Sequence, residues 1–317
     1  MISNNAVKEM RQVLYEFLDK KMEEDKRIVV IDADLSKSNG TYNLRGKYPD
    51  RAIDVGVAEQ NMAGIAAGLA AYGFKPFIST FASFATRRIC DQVAVSIAYA
   101  NRDVKIIGSD PGIAAELNGG THMSFEDIGV FRSIPKMVIF EPVDIVQLEK
   151  ALPEIVEYEG PLYIRFFRKL APIVFSENYE FNLFEADLLK EGKDVTIIAS
   201  GIMVYEAMLA CEKLKKEGIE AELISVHTIK PIDKDCIIKS ARKTKRVVTC
   251  ENHNIIGGLR SAVSEVLSEN YPVIIKSIGI KDRFGQVGKL PYLKKEYGLE
   301  VDNIVDTCIH VVNNYEI

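Results

Sequence analysis

One carboxylate, Glu59, stands where an apolar run gives way to a helical pattern, a position from which it could donate or accept a proton. Residues 52–57 are predicted to form a strand. After Glu59, apolar residues recur at i, i+3, i+4 and i+7 and a glycine follows: Met62, Ile65, Ala66, Leu69 and Gly73. A glutamate in a first helical turn is most often only a favourable partner for the helix dipole. A catalytic role for Glu59 therefore depends on its surroundings.

Two phenylalanines, Phe81 and Phe84, follow at a spacing of three, and Arg87 lies a further three residues along. A helix is predicted over residues 81–100, and this spacing places all three side chains on one of its faces. Aromatic rings on one helix face usually belong to a hydrophobic core. The spacing alone leaves open whether these rings bind a flat ligand.

Asp34 comes just after the predicted strand 27–32, where open α/β sheets place their ligands. An aspartate at this point also suits a turn or a helix N-cap, so both roles stay open. Three residues suited to anion binding, Arg11, Ser38 and Arg168, lie on or next to predicted elements. A guanidinium group is a planar fork that matches the oxygens of a phosphate, although a lone arginine on a helix is usually a solvated surface residue.

Short apolar runs alternate with amphipathic patterns along the chain, which predicts βα units and parallel sheets. The expected strands are 27–32, 52–57, 74–80, 104–108, 137–141 and 162–165, then 194–200, 221–226, 246–250 and 273–278. The main expected helices are 5–24, 60–72, 81–100 and 145–158. This is an α/β fold with two doubly wound domains in series: residues 1–175, a linker over 176–192, and residues 193–317.

Composition limits the class of protein. The chain has 317 residues, 47% of them hydrophobic and 27% charged, with a net charge of −5. No basic stripe favours nucleic acid, no apolar run could span a membrane, and the N-terminal residues do not resemble a signal peptide, so we expect a cytoplasmic protein. Five dispersed cysteines suit reduced thiols, and no metal-ligand cluster can be read from the chain, so no metal site is expected on it.

Several of these segments resemble the transketolase family, which uses thiamine diphosphate. The resemblance begins with an activating-glutamate element and an aromatic segment and continues in order over nearly the whole chain. Its elements are Ala58-Glu59-Gln60, Ser79-Thr80-Phe81, Gly119-Gly120-Thr121-His122-Met123, Val130-Phe131-Arg132-Ser133-Ile134-Pro135, Thr228-Ile229-Lys230-Pro231 and Gly257-Gly258-Leu259.

The resemblance assigns the cofactor residues. It implies that Glu59 hydrogen-bonds N1′ of the aminopyrimidine, from an apolar pocket in which burial lets the carboxyl share a proton. Phe81 and Phe84 would flank that ring. Asp34 would lie beside the thiazolium, and Arg87 occupies a position that is Tyr or Arg in family members.

The resemblance also assigns the substrate residues. Arg168, Arg11 and Ser38 fall where the family binds the sugar phosphate, and His122 where it lines the sugar channel. Asp110 and Asn118 depart from the usual transketolase pattern at the donor's hydroxyl groups. The element Asp110-Pro111-Gly112 is closer to deoxyxylulose-phosphate synthases, so the donor ketose is left open.

The family binds the cofactor's diphosphate through Mg²⁺ (or Ca²⁺), using a G-D-G motif in a separate PP domain. This chain contains no G-D-G motif. The resemblance therefore implies a C-terminal-half subunit, with a pyrimidine-binding (Pyr) domain and a C-terminal domain. A partner would supply the PP domain, the metal site and the rest of a heterotetramer with two of each chain. In the second domain, Glu251, His253 and Gly257-Gly258 are expected to be structural.

The resulting prediction is a transferase of aldehyde and ketone groups. It would move a two-carbon ketol unit from a ketose to an aldose phosphate. Alternatives are a deoxyxylulose-phosphate-synthase-like subunit, the β subunit of a 2-oxo-acid dehydrogenase E1 component, and a non-catalytic regulatory paralogue, since fold alone does not fix function.

Overall fold

The computed structural model describes residues 8–314. Its strands, in chain order, are β1 (Ile28–Asp32), β2 (Ala52–Asp54), β3 (Lys75–Phe81), β4 (Lys105–Ser109), β5 (Val138–Phe140), β6 (Leu162–Phe166), β7 (Asp187–Lys190), β8 (Val195–Ala199), β9 (Ala221–Ser225), β10 (Thr228–Lys230), β11 (Arg246–Asn254) and β12 (Ile274–Ile280). Its α-helices are α1 (Met10–Glu24), α2 (Ser36–Asn39), α3 (Leu44–Lys47), α4 (Glu59–Ala71), α5 (Cys90–Gln92), α6 (Asp127–Arg132), α7 (Ile145–Glu157), α8 (Met203–Lys216), α9 (Lys234–Thr244), α10 (Leu259–Asn270), α11 (Leu290–Tyr297) and α12 (Val301–Asn314).

These strands form two sheets, and the predicted α/β class is confirmed. The first sheet has the order β10-β5-β6-β4-β3-β1-β2, and the second has the order β12-β11-β8-β9-β7. Pairing is parallel except at the edge strands β10 and β7. Central strands such as β1, β4 and β6 are buried along their whole length, as their continuous Val/Ile content requires of strands covered on both faces. By contrast, β2 is an edge strand and only its first residue is fully buried.

Helices cover both faces of the first sheet. Helices α1 and α7 pack on one face, where Leu14 and Leu18 share a core with Leu148 and Leu152. Helix α4 and the segment after β3 cover the other face, and that core continues into α9 and α10 of the second domain. Helix α1 begins at Met10; residues 5–7 of the predicted helix lie outside the described part of the chain.

The predicted helix over residues 81–100 is wrong in detail. Strand β3 continues through Phe81, and the helical part is broken into a π-helical turn at Phe84–Arg88, the short α5, and a second π-helical stretch at Val93–Tyr99. Within the first turn, the Thr86 hydroxyl donates to the Ala82 carbonyl at 2.7 Å. A π-helical turn holds more residues than an α-helical one, so side-chain directions shift here relative to a regular helix.

The two domains interlock. Strand β7 lies inside the segment expected as a linker and pairs with β9, so the second sheet begins there. Strand β10, also from the second half of the chain, crosses over to extend the first sheet, with Thr228 opposite Phe140. Three residues carry too little periodicity to predict such a strand from sequence.

A fully buried arginine joins the two sheets. The Arg165 guanidinium on β6 donates to both carboxylate oxygens of Asp127, to Glu141, and to the carbonyl of Asn252 on β11 at 2.7 Å. Burial works to raise the pKa of both carboxyls. At Asp127 burial is opposed by Arg165 together with His253 and Tyr163, and the pKa is lowered, whereas the pKa of Glu141 remains raised.

Replacing this arginine should cost much more stability than removing an exposed ion pair. Arg165→Met removes the one cation that is paired with two buried carboxyls and bound to one buried carbonyl, so we expect the free energy of unfolding to fall by about 3–5 kcal/mol. Arg27→Met removes an exposed pair with Asp25 and serves as the matched control, with a much smaller loss. Urea unfolding measures both, and equal losses would contradict the role given to Arg165.

A buried histidine makes stability depend on pH. Burial lowers the pKa of His227 to about 4. In the unfolded chain His227 becomes protonated near pH 6.5, whereas in the folded chain it stays neutral down to about pH 4. Protonation therefore favours the unfolded chain. The stability that neutral His227 allows is complete above pH 6.5 and is lost as the pH falls towards 4. Relative to His227→Gln, the native chain should lose about 2 kcal/mol of stability between pH 7 and pH 5. Urea titrations at the two pH values measure this. His310→Gln, on the exposed side of α12, is the control; it leaves His227 buried, so this variant should still lose stability between the two pH values.

Candidate functional site

Parallel pairing brings the predicted site residues to one edge of the first sheet. In register, Asp32 lies beside both Asp54 and Ser79, and Phe81 lies beside Ser109, which in turn pairs with Phe166. The segments after these strands carry Asp34, Glu59, Phe84, Asp110 and Arg168. All five therefore follow carboxyl ends of neighbouring strands, the usual place for a ligand in an open parallel sheet.

Glu59 is the first residue of α4 and is 5% exposed. Its Oε1 accepts a hydrogen bond from Arg88 Nη1 at 2.7 Å. The expected apolar pocket is found only in part, because a guanidinium group closes one side. The apolar side is formed by α4 itself, where Met62 and Ala63 are buried.

Arg88 was not singled out from the sequence, and it is the residue that joins the carboxylate to the aromatic group. Its guanidinium carbon lies 3.8 Å from the centre of the Phe84 ring while the same group binds Glu59. A regular helix would have allowed Arg87, three residues after Phe84, to share that face. The wider π-helical turn places Arg88 there instead. The available signal was the Arg87-Arg88 pair, but choosing between its members required the turn geometry.

Arg87 points elsewhere. Its Nε pairs with Glu126 at 2.5 Å and its Nη2 donates to the Met123 carbonyl at 3.0 Å. The expectation that Arg87 extends the face of Phe81 and Phe84 is corrected by these contacts. Arg87 instead lines a cavity of about 300 Å³ between the domains, together with Phe125, Asn254, Arg283 and others.

Three aromatic rings lie close together at this edge of the sheet. The Phe81 and Phe84 centroids are 6.1 Å apart, and the His122 ring lies 6.0 Å from Phe81 and 5.2 Å from Phe84. Phe81 is a strand residue and Phe84 a helical one, so the strand-to-helix turn, and not a helix face, brings them together. His122 reaches them from the loop after the short 3-10 segment Gly112–Asn118.

That loop is held by the second domain. Gly120 lies so close to the backbone of Gly285 that a Cβ on either residue would overlap its neighbours. Asn118, at the end of the 3-10 segment, has an exposed side chain. The structure thus brings His122 to the aromatic group and leaves Asn118 at the surface.

Arg11, Ser38 and Arg168 come together as a group. The Ser38 carbonyl accepts from Arg11 Nη1 at 3.1 Å and from Arg168 Nη1 at 3.0 Å. Arg11 also pairs with Glu9 at 2.6 Å. Two guanidinium groups from distant parts of the chain converge on one neutral oxygen, an arrangement that an anion with several oxygens could also satisfy.

Asp110 is buried and lies against Arg168. Its Oδ2 accepts from Arg168 Nε at 2.5 Å, and the Arg168 guanidinium lies 5.2 Å from the centre of the Phe81 ring. Burial raises the pKa of Asp110, although Arg168 opposes that change. The Asp110 carboxylate therefore orients an arginine in this structure.

Asp34 occupies a turn. Its φ is +59°, its backbone N–H donates to Asp54 Oδ1 at 2.9 Å, and its side chain is exposed. The turn role considered from the sequence is observed.

The residues fit the pyrimidine end of thiamine diphosphate. The Arg88 guanidinium, a flat group that bears nitrogen, already lies on Phe84 while it hydrogen-bonds Glu59. An aminopyrimidine ring needs the same two contacts. Within residues 8–314 there is no group of three or more His, Cys, Asp or Glu side chains that could hold a metal ion, and no helix there is long and apolar enough to cross a membrane.

Comparisons with known proteins place both domains in one family. Residues 7–173 match the model of the transketolase pyrimidine-binding domain, and residues 185–304 match that of the transketolase C-terminal domain. The chain is 52% identical to the 6-deoxy-6-sulfo-D-fructose transketolase subunit SqwH of Clostridium sp. (strain MSTE9), over 93% of this chain and 92% of that one. It is 38% identical to an apulose-4-phosphate transketolase subunit of Phocaeicola vulgatus, over 91% and 93% of the two chains.

Solved structures show the same fold. A split gene transketolase, described as an inactive β4 tetramer, superposes with a TM-score of 0.86 at 40% identity and covers 96% of this chain and 98% of that one. A transketolase mutant of Pichia stipitis superposes with a TM-score of 0.81 at 22% identity, over 98% of this chain and 47% of that chain. With both domain models matched in order, the chain belongs to the transketolase family and resembles the C-terminal-half subunits of split transketolases.

Proposed function

We propose that this chain is the pyrimidine-binding subunit of a two-subunit, thiamine diphosphate-dependent transketolase. It moves a two-carbon ketol unit from a ketose to an aldose phosphate. The observation that carries the proposal is the contact of one flat group with both Glu59 and Phe84, at the same strand edge as the paired guanidinium groups of Arg11 and Arg168.

Thiamine diphosphate, when bound, supplies the nucleophilic carbon that breaks and forms the carbon–carbon bonds. Glu59 holds a proton at N1′ of the aminopyrimidine, and its buried position at the start of α4 keeps water from competing for that bond. Phe81 and Phe84 orient the ring. Asp34, at the turn after β1, and Arg87 stay further candidates for cofactor contact.

Arg88 must leave the Phe84 ring when a cofactor enters, because one flat group already covers that face. Its side chain is 46% exposed, so a new position in solvent is open to it. The guanidinium then stays near the cofactor as a cation and no longer neutralises Glu59 directly.

At the other end of the site, Arg11, Ser38 and Arg168 bind the anionic tail of the sugar. Each guanidinium already has a carboxylate partner, Glu9 for Arg11 and Asp110 for Arg168, so the cluster is close to neutral overall. Such a cluster favours a singly charged tail over a doubly charged one. We therefore propose a 6-deoxy-6-sulfo ketose as the first donor to test, with ketose phosphates second. His122 and Asn118 contact the sugar's hydroxyl groups.

A partner subunit supplies the PP domain and holds Mg²⁺ (or Ca²⁺) with the diphosphate, in a heterotetramer with two of each chain. Support comes from relatives that are named as transketolase subunits, and from a solved relative whose β4 tetramer is described as inactive. Cytoplasmic location and activity only with the partner belong to the same proposal.

A second candidate is a synthase that uses pyruvate. The Asp110-Pro111-Gly112 element favours it, as does 35% identity to a 1-deoxy-D-xylulose-5-phosphate synthase of Heliobacterium modesticaldum, over 45% of that protein. Release of CO₂ from pyruvate by the reconstituted pair, without ketol transfer from any ketose, would establish this candidate in place of a transketolase.

Glu59 gives the direct test of catalysis. Glu59→Gln keeps the shape of the side chain but cannot share the proton, so we expect ketol transfer by the reconstituted pair to fall at least about 100-fold. Circular dichroism should show an unchanged fold. Glu265→Gln removes an ion-paired glutamate on α10 and is the matched control, with unchanged turnover. Full activity in Glu59→Gln would overturn the assigned role.

Arg11 tests the anionic tail. Arg11→Met removes one of the two guanidinium groups, so KM for 6-deoxy-6-sulfo-D-fructose should rise about 10- to 100-fold. The KM for D-fructose, which has the same carbon skeleton and no anionic tail, should stay the same. Steady-state kinetics of the pair measures both, with Arg27→Met as the control. An equal change for the two sugars would show that the tail binds elsewhere.

A further inference from the structure

An asparagine of the second domain reaches into the substrate side of the first. Asn252 lies near the end of β11 and is 1% exposed. Its Oδ1 accepts from the Ile113 N–H at 3.0 Å and its Nδ2 donates to the Pro111 carbonyl at 3.0 Å. Both polar ends of one side chain thus hold one turn of the other domain.

The turn that Asn252 holds is strained. Asp110 has a φ of +51°, in the left-handed region that a residue with a Cβ rarely adopts. Gly112 has a φ of +58° and lies so close to Asn252 that a Cβ would overlap the asparagine side chain. A strained turn persists only where its surroundings fix it, and the two Asn252 hydrogen bonds do so on either side of Gly112.

This turn determines where Arg168 points. The Asp110 carboxylate at its start binds Arg168 Nε at 2.5 Å, and Arg168 Nη1 reaches the Ser38 carbonyl at 3.0 Å. A chain of hydrogen bonds therefore runs from Asn252 through the turn and Asp110 to the guanidinium pair. The Asn252 backbone carbonyl is separately fixed by Arg165 at 2.7 Å, so the asparagine is itself immobile.

We propose that Asn252 is a positioning residue for donor binding, through which the C-terminal domain sets the affinity for the anionic tail of the sugar. The inference rests on the proposed function only in taking Arg11 and Arg168 as the tail-binding pair. Asn252 touches neither the sugar nor the cofactor. Its effect reaches the donor through Asp110 and Arg168.

The test compares anionic and neutral sugars. Asn252→Leu keeps the branching of the side chain and removes both hydrogen bonds. Asn252→Ala leaves room for water to satisfy Ile113 and Pro111 if the leucine variant does not fold. Binding of D-fructose 6-phosphate to the full chain is measured by titration calorimetry. We expect its Kd to rise about tenfold in the variants, because Arg168 is no longer held in place.

Asn254→Leu is the matched control, since this asparagine lies on the same strand and its Oδ1 accepts from a local N–H, that of Ile256. It should leave the Kd unchanged. In the reconstituted pair, Asn252→Leu should raise KM for the phosphorylated donor about tenfold, with kcat and the KM for D-fructose unchanged. A merely structural role would change both donors equally.

An unchanged Kd in both Asn252 variants, or an equal loss in Asn254→Leu, would overturn the inference. A native chain that binds D-fructose 6-phosphate and loses affinity on Asn252 substitution, yet transfers no ketol unit with its partner, would support the inference and overturn the proposed function. A reconstituted pair that neither binds nor turns over any anionic sugar would overturn both.

Discussion

The arrangement of both domains depends on one buried charge, the guanidinium group of Arg165, which contacts residues of each domain. Arg165 lies at the centre of the first sheet, between two carboxyls of its own domain and a carbonyl of the second. A buried guanidinium group is tolerated only when its charge is paired and it finds hydrogen-bond acceptors, so the position of β11 relative to β6 is tightly constrained. Arg168 lies just after the end of the same strand, so its position in the site is constrained as well.

We assign no catalytic group to the second domain, yet it shapes the site at two points. Asn252 holds the turn that begins at Asp110, and Gly285 lies against the loop that carries His122. Close approach of backbones requires glycine at Gly120 and Gly285, because any side chain would push the loops apart. The contacts between the domains therefore help to position the loops that form the substrate site.

The cofactor end is organised differently. Glu59, Phe84 and Arg88 all come from two strand-to-helix connections that are consecutive in the first domain, and Arg88 contacts both other residues. A buried carboxylate without a partner would be costly, and Arg88 removes that cost in the free chain. Because the Arg88 side chain is half exposed, its guanidinium group can move off the Phe84 ring into solvent without becoming a buried, unpaired charge.

The sequence alone was enough to predict the α/β class, the positions of most strands along the chain, and several residues that carry chemistry. Asp34 could be predicted at a strand end, where open α/β sheets bind ligands, and the resemblance to the transketolase family grouped Glu59, Phe84 and Arg168 with it. Tertiary structure alone decided that Arg88 and not Arg87 covers Phe84, that Asp110 serves Arg168, and that β10 joins the first sheet. These outcomes depend on a local change of helical pitch and on contacts between residues more than fifty positions apart. Neither can be read from hydrophobic periodicity or from the spacing of motifs, which describe only local sequence.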